Sequence, residues 1–526
     1  MMLVSRLDWQ KGLALGVIIL ALEIWSYLAF SLPSFSLPIF IFIALGFLII
    51  AIYKIEYALL GAFAELIIGS MGHLFFLELG DFRLSIRIAF WLIIILVFSF
   101  KFLLQFIKQK QESPYFQRIK NFGFLSIFAL LGLAVILGLI KGLSSESLLA
   151  TVVSDFNSWL FFLLIFPFLA LVDFKNKDFV SDLKVILFAS VIWLSLKTLF
   201  LLAVFSHNLS LAAEIYYWLR KTLVGEMTAG IWPRIFIQSQ IFSGAAFFVF
   251  FIVAQVLIKK KSATLLTQAK NYKLCIKNFL SQDNLILIFF SALTFSTIIL
   301  SFSRSFWLAF ASVIGLSLVL IWYFYNFKEV IKSLSWLIVS FILSFILIYL
   351  ITILPLSEFS ATNLNKGLSE RLSQDSSEPA LASRWSLLPV LWSEIKEAPL
   401  LGKGFGAEIT YISSDPRVLE RNPSGEYKTS AFEWGYLDIW LKIGLLGLLI
   451  YLVLLLKVIV SAFKFGLAWD GLYLGLGLAL VFLAIVHFFT PYLNHPLGIG
   501  LLIVCACIIY ENKVYLIRKN KFKDKL

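Results

Sequence analysis

About fourteen long apolar runs divide the sequence, with polar connectors between them. The runs lie near 12–30, 38–53, 57–77, 88–107, 121–140, 157–172, 185–205, 232–257, 284–302, 305–325, 333–354, 435–456, 470–489 and 496–512. A run of roughly 17–25 apolar residues is long enough to cross a bilayer as one helix. Hydrophobic residues make up 60% of the chain, which is a larger fraction than soluble proteins contain. The sequence therefore predicts an all-α integral membrane protein with 12 to 14 transmembrane helices.

Lysine and arginine are distributed unevenly between alternate connectors. Most of them lie in the connectors that share a side with the N-terminus, including the group at 259–261 and the tail after residue 512. Membrane proteins keep an excess of positive residues on the cytoplasmic side. We therefore expect a multi-pass protein of the cytoplasmic (inner) membrane with both termini in the cytoplasm. This orientation explains the net charge of +13 without a nucleic-acid partner.

One connector is much longer and more polar than the others. It covers residues 355–434, the alternation of spans places it outside, and connectors of this length are usually functional or disordered. The predicted parts are membrane helices over 1–354 with about eleven spans, a large extracytoplasmic loop over 355–434, membrane helices over 435–512 with about three spans, and a basic cytoplasmic tail over 513–526.

The large loop is predicted to contain short helical elements. Leu387, Leu388, Leu391 and Trp392 recur at helical spacing, which predicts an amphipathic helix near 382–395. We expect this helix to lie on the membrane surface.

Arg304 interrupts an apolar stretch, "LSFSRSFWLAF". The predicted topology places it in an outer turn between the ninth and tenth helices, and places Arg234 at the outer start of the eighth. Either arginine alone is equally well explained as an interfacial anchor. However, Gln238 and Gln240 follow Arg234, and inward-facing polar side chains of membrane helices usually line a cavity. Two guanidiniums suit a phosphate or pyrophosphate, so the residues predict an anionic, lipid-linked ligand.

Three stretches near these residues carry a family resemblance. They are "SFSRSFWLAF" at 301–310, "RWSLLPVLWSEIKEAPLLGKGFGAE" at 384–408 and "EWGYLDIWLKIGLLGLLIYL" at 433–452. In this order, around one large external loop, they resemble the O-antigen ligase/polymerase family of membrane glycosyltransferases. The second stretch departs from the family pattern, since Leu388 stands where that family has a Trp.

The resemblance implies a GT-C type fold and a glycosyltransferase that uses neither a metal nor another cofactor. The implied donor is a polyprenyl-diphosphate-linked glycan, and the implied acceptor is a hydroxyl of a glycan, lipid or protein at the bilayer surface. The family's essential arginines fall on Arg234 and Arg304, which would hold the donor diphosphate as it leaves. The family's His-Asn pair falls on Glu433 and Trp434. This departure favours a polymerase over a ligase.

Glu433 has two interpretations that the sequence leaves open. It is a candidate general base, since a carboxylate can take this role, or it is an acid favoured by the positive end of the following helix. Asp438 falls where the family often has an acid. His495 is an alternative base, although a lone His beside a Pro is more often structural.

Residues of the large loop supply further candidates. Arg384 begins the predicted amphipathic helix and is a candidate donor contact. Gly404 lies in "GKGFG", which lacks the spacing of a nucleotide-binding loop and instead predicts a tight turn that approaches a sugar or the membrane. Lys403 is either a phosphate contact or a solvated side chain. The candidate substrate-binding residues are Arg384, Gln238, Gly404, Lys403, Asp438 and His495.

The sequence also bears on functions other than glycan transfer. Scattered histidines and few cysteines predict no metal site. A flippase or transporter of the same lipid-linked glycan is the main alternative, but no internal repeat is apparent, although many transporters have one. The polar residues also crowd at one face of the membrane and not at its midplane. The sequence therefore favours a transferase.

Overall fold

The computed structural model of the chain describes most of its length. The described residues are 8–80, 82–145, 147–173, 176–228, 233–265, 281–324, 326–353, 379–468 and 471–523. The first part of the expected large loop, residues 355–378, therefore lies outside the described residues, as do 266–280 in a basic connector and 524–526 in the tail.

Helices dominate the described chain, and three two-stranded antiparallel hairpins lie among them. The first elements are α1 (Trp9–Ser31), α2 (Ser36–Tyr53), α3 (Ile55–Ile68), β1 (Phe76–Leu79), β2 (Phe82–Ser85), α4 (Ile86–Gln109), α5 (Pro114–Lys120), α6 (Leu125–Leu143), α7 (Leu149–Leu160), α8 (Ile165–Leu171), α9 (Lys177–Ser206), α10 (Ala212–Lys221), β3 (Gly225–Thr228) and β4 (Arg234–Ile237). The later elements are α11 (Gln240–Leu265), α12 (Gln282–Leu300), α13 (Arg304–Phe324), α14 (Phe327–Ile353), α15 (Pro379–Glu397), β5 (Ile409–Ile412), α16 (Pro416–Leu419), β6 (Glu426–Thr429), α17 (Gly435–Ala468), α18 (Gly471–Phe489) and α19 (Pro496–Lys523).

Twelve candidate membrane spans occur within the described residues, judged by length and composition. They are α1, α2, α4, α6, α7 with α8, α9, α11, α12, α13, α14, α17 and α18. This confirms an all-α integral membrane protein. The other two of the fourteen expected runs form shorter apolar helices, α3 with 14 residues and the Pro496–Tyr510 part of α19.

The expected third span, 57–77, is wrong in its second half. Helix α3 ends at Ile68, and Ser70 and Gly72 then adopt positive φ angles of 55° and 90°. A left-handed residue at this position commonly terminates a helix. The chain continues into the β1–β2 hairpin and not along a membrane span.

The expected eighth span, 232–257, begins later than the sequence indicated. Arg234 lies on β4, which pairs with β3, so the expected place of Arg234 at the start of a membrane helix is wrong. The Gln240 side chain accepts a hydrogen bond from the Ile237 amide at 3.2 Å and donates to the Ile235 carbonyl at 3.1 Å. These two bonds provide hydrogen-bond partners for backbone groups of β4, next to the start of α11.

Helices α9, α11, α12 and α18 form the buried centre of the bundle, whereas less than a fifth of each of the spans α1, α2 and α4 is buried. Close approach in the centre depends on small residues. A Cβ on Gly244 of α11 would lie 2.3 Å from the Phe482 ring of α18. Small residues permit such backbone approach in membrane bundles, where lipid supplies no hydrophobic drive between helices.

Polar contacts distinguish the two ends of the bundle. At one end, Lys11 pairs with Asp182 at 2.7 Å and Tyr57 donates to Asp182 at 2.6 Å, so the starts of α1, α3 and α9 meet there. The other end carries the three hairpins, α10 and residues 379–434, and we call it the loop end. Every candidate site residue lies at the loop end.

The predicted amphipathic helix is confirmed as α15. Leu387 and Leu391 are buried as expected, but Trp392 is exposed, so the proposed apolar face was partly wrong. The buried residues of α15 pack against β5, Phe432 and Trp434. The apolar face of α15 is therefore covered by the protein itself.

Candidate active site

Arg304 is the first residue of α13 and directly follows a tight turn. Phe302 in this turn has a φ of 46°, and the Trp307 indole N–H donates to the Ile298 carbonyl across the turn at 2.9 Å. The Ser303 and Ser305 hydroxyls, on either side of Arg304, lie 3.0 Å apart. The apolar stretch is therefore two helices joined by a turn, and its charge lies at their shared end.

Arg234 reaches the same turn from a distant part of the chain. Its Nε donates to the Ser301 carbonyl at 3.2 Å, and its guanidinium carbon lies 5.0 Å from the Phe236 ring centroid. Ser301 is three residues before Arg304. The fold therefore brings together the neighbourhoods of the two arginines that the sequence singled out.

The segment between α18 and α19, residues 490–495, contacts both arginine neighbourhoods. The buried Tyr492 hydroxyl lies 2.9 Å from the Gln238 carbonyl and 3.0 Å from its Oε1. The Thr490 hydroxyl lies 3.5 Å from that of Ser305. This segment thus holds Gln238, which directly follows β4.

Glu433 forms an ion pair with Arg384, whose Nη2 lies 3.0 Å from Glu433 Oε1, and Nε contacts the other carboxylate oxygen. Both side chains remain partly exposed, at 42% for Arg384 and 49% for Glu433. The next residue, Trp434, packs on Phe489, with the ring centroids 6.2 Å apart. The ion pair therefore lies near the 490–495 segment, and Arg384 holds both carboxylate oxygens of Glu433.

Asp438 belongs to a buried charge cluster, which we call the Lys442 network and define as Lys442, Asp155 and Asp438. Lys442 Nζ lies 2.8 Å from Asp438 and 3.0 Å from Asp155, and it donates to the Ser430 carbonyl at 3.1 Å. Asn494 donates to the other Asp438 oxygen. This arrangement fits a structural tether, and a substrate contact by Asp438 stays a prediction.

The "GKGFG" segment docks onto the bundle. The Gly404 amide donates to the Lys442 carbonyl at 3.2 Å, and the next amide donates to the Gly138 carbonyl of α6 at 3.0 Å. Gly404 has a φ of +100°, and a Cβ there would lie 2.4 Å from the Gly142 amide nitrogen. The glycine thus permits backbone-to-backbone packing. A sugar contact by Gly404 stays a prediction.

Lys403 is engaged by two carboxylates of α15. It contacts Glu394 and lies 2.6 Å from Glu397. Burial acts to lower the pKa of Lys403, but the hydrogen bonds to these carboxylates outweigh it and raise the pKa above its ordinary value. Lys403 therefore supports the loop, and a phosphate contact stays a prediction.

His495 lies just before α19, and its ring nitrogen Nδ1 accepts from the Leu497 amide at 3.4 Å. Burial lowers the pKa of His495 to about 3, and the nearby Arg87 and His73 add to this effect. The imidazole is neutral at physiological pH but holds a proton weakly. These features fit the structural interpretation better than the role of a base.

Sequence reasoning missed Lys442, Asp155 and Tyr492. A signal existed for Lys442, because it is an ionisable residue inside an apolar span, and such residues are usually paired or functional. No local signal identified Asp155, because its contacts come from distant parts of the chain. The Gly406 amide, for example, donates to the Asp155 carboxylate at 2.9 Å although the two residues are 251 positions apart. Within the described residues, no group of three or more His, Cys, Asp or Glu side chains is arranged to hold a metal ion.

The fold and these residues define a polytopic helical membrane protein with two arginines near one turn at one end, beside the polar residues 379–434. Residues 289–452 match the family model described as O-antigen ligase. The match supports assignment of the chain to the O-antigen ligase/polymerase family. The matched region contains Arg304 and Glu433, whereas Arg234 precedes it and His495 follows it. No curated protein matches the chain.

Proposed function

We propose that the chain is a membrane glycosyltransferase that moves a glycan from a polyprenyl-diphosphate-linked donor onto an acceptor hydroxyl. The observation that carries this proposal is the bond from Arg234 Nε to the Ser301 carbonyl at 3.2 Å. It joins Arg234 to the turn that presents Arg304, at the edge of the region that matches the O-antigen ligase model.

The two arginines suit the charge that develops during transfer. The acceptor oxygen attacks the anomeric carbon, the bond from that carbon to the donor diphosphate breaks, and the configuration inverts. The diphosphate gains negative charge as it leaves, and guanidiniums fixed beside it stabilise that charge. The acceptor hydroxyl loses its proton to a base, for which Glu433 is the candidate once its ion pair opens.

The membrane placement is part of the proposal. The loop end faces outward from the cytoplasmic membrane, both termini lie in the cytoplasm, and the architecture is of GT-C type. The uneven distribution of Lys and Arg supports this orientation. The acceptor is a second lipid-linked glycan in a polymerase, and a lipid, protein or other glycan in a ligase. Neither a metal nor another cofactor takes part. The O-antigen ligase match does not favour a flippase.

The proposal is tested with purified protein in proteoliposomes that contain the producing cells' lipid-linked glycan. The variants are Arg304→Ala, Arg234→Ala and Arg304→Lys. We expect each alanine variant to lower the transfer rate by a factor on the order of 100 or more, as loss of one fixed donor to a developing oxyanion does elsewhere. Arg304→Lys keeps the charge but loses the two-pronged geometry, so we expect an intermediate rate.

The matched control is Arg220→Ala. Arg220 also lies at the loop end, but it is half-exposed and pairs with Glu226 at 3.5 Å, so we expect an unchanged rate. Transfer is also expected to survive a chelator. A ladder of extended lipid-linked glycan identifies a polymerase, and a single transfer to an added acceptor identifies a ligase. Movement of the lipid across the bilayer without a new glycosidic bond would overturn the proposal in favour of a flippase.

A further inference from the structure

Helix α15 exposes two tryptophans on the side opposite its buried leucines. Trp385 is 53% exposed and Trp392 is 40% exposed, whereas Leu387 and Leu391 are buried. Burial of a large aromatic ring against a partner is favourable, because it removes apolar surface from water. Two exposed rings seven residues apart on one helix are therefore candidate contact sites for lipid or for a ligand.

The surroundings of Trp392 suit a membrane interface. Its ring meets the Trp440 ring of α17 edge-on at 5.4 Å between centroids, and the Lys396 ammonium lies 5.9 Å from its centroid. Leu400 and Leu446 nearby are exposed. An aromatic ring with a cation and apolar neighbours is the usual composition of the headgroup region.

The surroundings of Trp385 are different. Its ring packs edge-on against buried Trp434 at 5.3 Å between centroids, and the Trp434 indole N–H donates to the Arg384 carbonyl at 3.1 Å. The partly exposed Arg384–Glu433 ion pair is thus formed by the residues that directly precede Trp385 and Trp434 in the chain. Hydrocarbon does not accommodate an exposed ion pair, so this part of α15 is poorly suited to insertion into lipid.

An exposed aromatic face beside a carboxylate and a guanidinium suits a sugar ring. The C–H face of a pyranose can stack on the indole, while its hydroxyls donate to the carboxylate and accept from the guanidinium. Trp434, on which Trp385 packs, also packs on Phe489, and the next residue, Thr490, contacts Ser305 beside Arg304. This chain of contacts connects Trp385 to the turn that presents Arg304.

We infer that the exposed face of Trp385 is a stacking platform for a sugar ring of the transferred or accepting glycan, with Arg384 and Glu433 binding its hydroxyls. This inference rests on the proposed function, because that function supplies the glycan. The ring belongs either to the donor or to the acceptor, and both present the same chemistry to Trp385.

The first arm of the test measures binding without transfer. The probe is the oligosaccharide released by mild acid from the producing cells' lipid-linked glycan, which carries neither lipid nor diphosphate. Its binding is measured by calorimetry on the detergent-solubilised full chain carrying Arg304→Ala. Adding Trp385→Ala is expected to weaken binding roughly tenfold, a loss typical of one aromatic contact. Trp385→Phe keeps a ring and is expected to retain most of the affinity.

The matched control is Trp392→Ala, which removes an exposed tryptophan from the same helix and is expected to leave probe binding unchanged. The second arm measures transfer by the Trp385→Ala variant at varied donor and acceptor concentrations. A raised KM for the donor assigns the stacked sugar to the donor, and a raised KM for the acceptor assigns it to the acceptor. Either result supports the platform.

Two results would overturn the inference. One is probe binding by Trp385→Ala that equals that of its parent. The other is an equal loss in Trp385→Ala and Trp392→Ala together with weaker membrane association of both, which makes the tryptophans interfacial anchors. If the probe binds through Trp385 but the wild-type protein forms no glycosidic bond, the proposed function alone is contradicted. If the wild-type protein transfers glycan but Trp385→Ala does not weaken probe binding, this inference alone is contradicted.

Discussion

The loop end contains two ion-paired regions that use similar charges in different ways. In the Lys442 network, Lys442 and Asp438 are only 5% and 2% exposed, and the lysine joins α7, α17 and the Ser430 carbonyl. In the Arg384–Glu433 pair, nearly half of each side chain is exposed. Burial fixes the partners of a charge, whereas exposure allows them to change. The first region is therefore suited to hold the loop on the bundle, and the second to meet a substrate.

The largest expected difference between these regions concerns stability. Lys442→Met leaves the buried Asp438 carboxylate and the partly buried Asp155 carboxylate without their cation. Breaking a buried pair in this way costs about 3–5 kcal/mol of the free energy of unfolding. Denaturant titration in detergent micelles measures this loss. Lys457→Met makes the same substitution at an exposed position of α17 and is expected to change stability by less than about 0.5 kcal/mol. Equal stabilities of the two variants would show that the network is not a tether.

A smaller loss is expected where the loop meets α6. Gly404→Ala places a Cβ 2.4 Å from the Gly142 amide at a φ of +100°, and such overpacking costs about 1–3 kcal/mol. Faster proteolysis of residues 379–434 in the folded protein measures release of the loop. Gly315→Ala is the control, because a Cβ there has nothing within 4 Å. If Gly404→Ala resists the protease as well as this control does, the glycine is not needed for docking.

The smallest effect on stability is expected at the exposed pair. Glu433→Gln removes an ion pair of a kind that contributes at most about 1 kcal/mol. If Glu433 is the general base, the transfer rate nevertheless falls by a factor on the order of 100 or more. Glu408→Gln is the control, since Glu408 pairs with Lys428 at 2.7 Å in the same loop. Full activity of Glu433→Gln would mean that another group takes the acceptor's proton.

The membrane class and most span positions followed from the sequence because hydropathy is a local property. The chain from Gly471 to Phe489 forms α18, for example, almost where the run at 470–489 predicted it. The predicted helix boundaries are wrong near Ser70 and Arg234. A positive φ angle at Ser70 ends one helix, and strand pairing at Arg234 delays the start of another. Apolar residues suit both structures, so their hydropathy could not reveal the hairpins.

The candidate site was only partly predictable. Arg304 stood out because a guanidinium inside an apolar stretch is rare, and this needs no knowledge of the fold. The roles considered for Gly404 and Lys403 rested on residue type, but their surroundings in the structure are the α6 backbone and the α15 carboxylates. Residue type gave no information about which part of the protein each of these two residues would contact.

By itself, the sequence determined that this chain is a polytopic helical membrane protein and that its cations gather in alternate connectors. These properties sum over windows of neighbouring residues, because the transfer of each side chain into lipid is nearly independent of distant contacts. Only the tertiary structure decided that Arg234 meets the turn before Arg304, that Lys442 lies between two carboxylates, and that Trp385 and Trp392 face different surroundings. Those outcomes depend on which distant segments close on one another, and this is set by packing over the whole bundle.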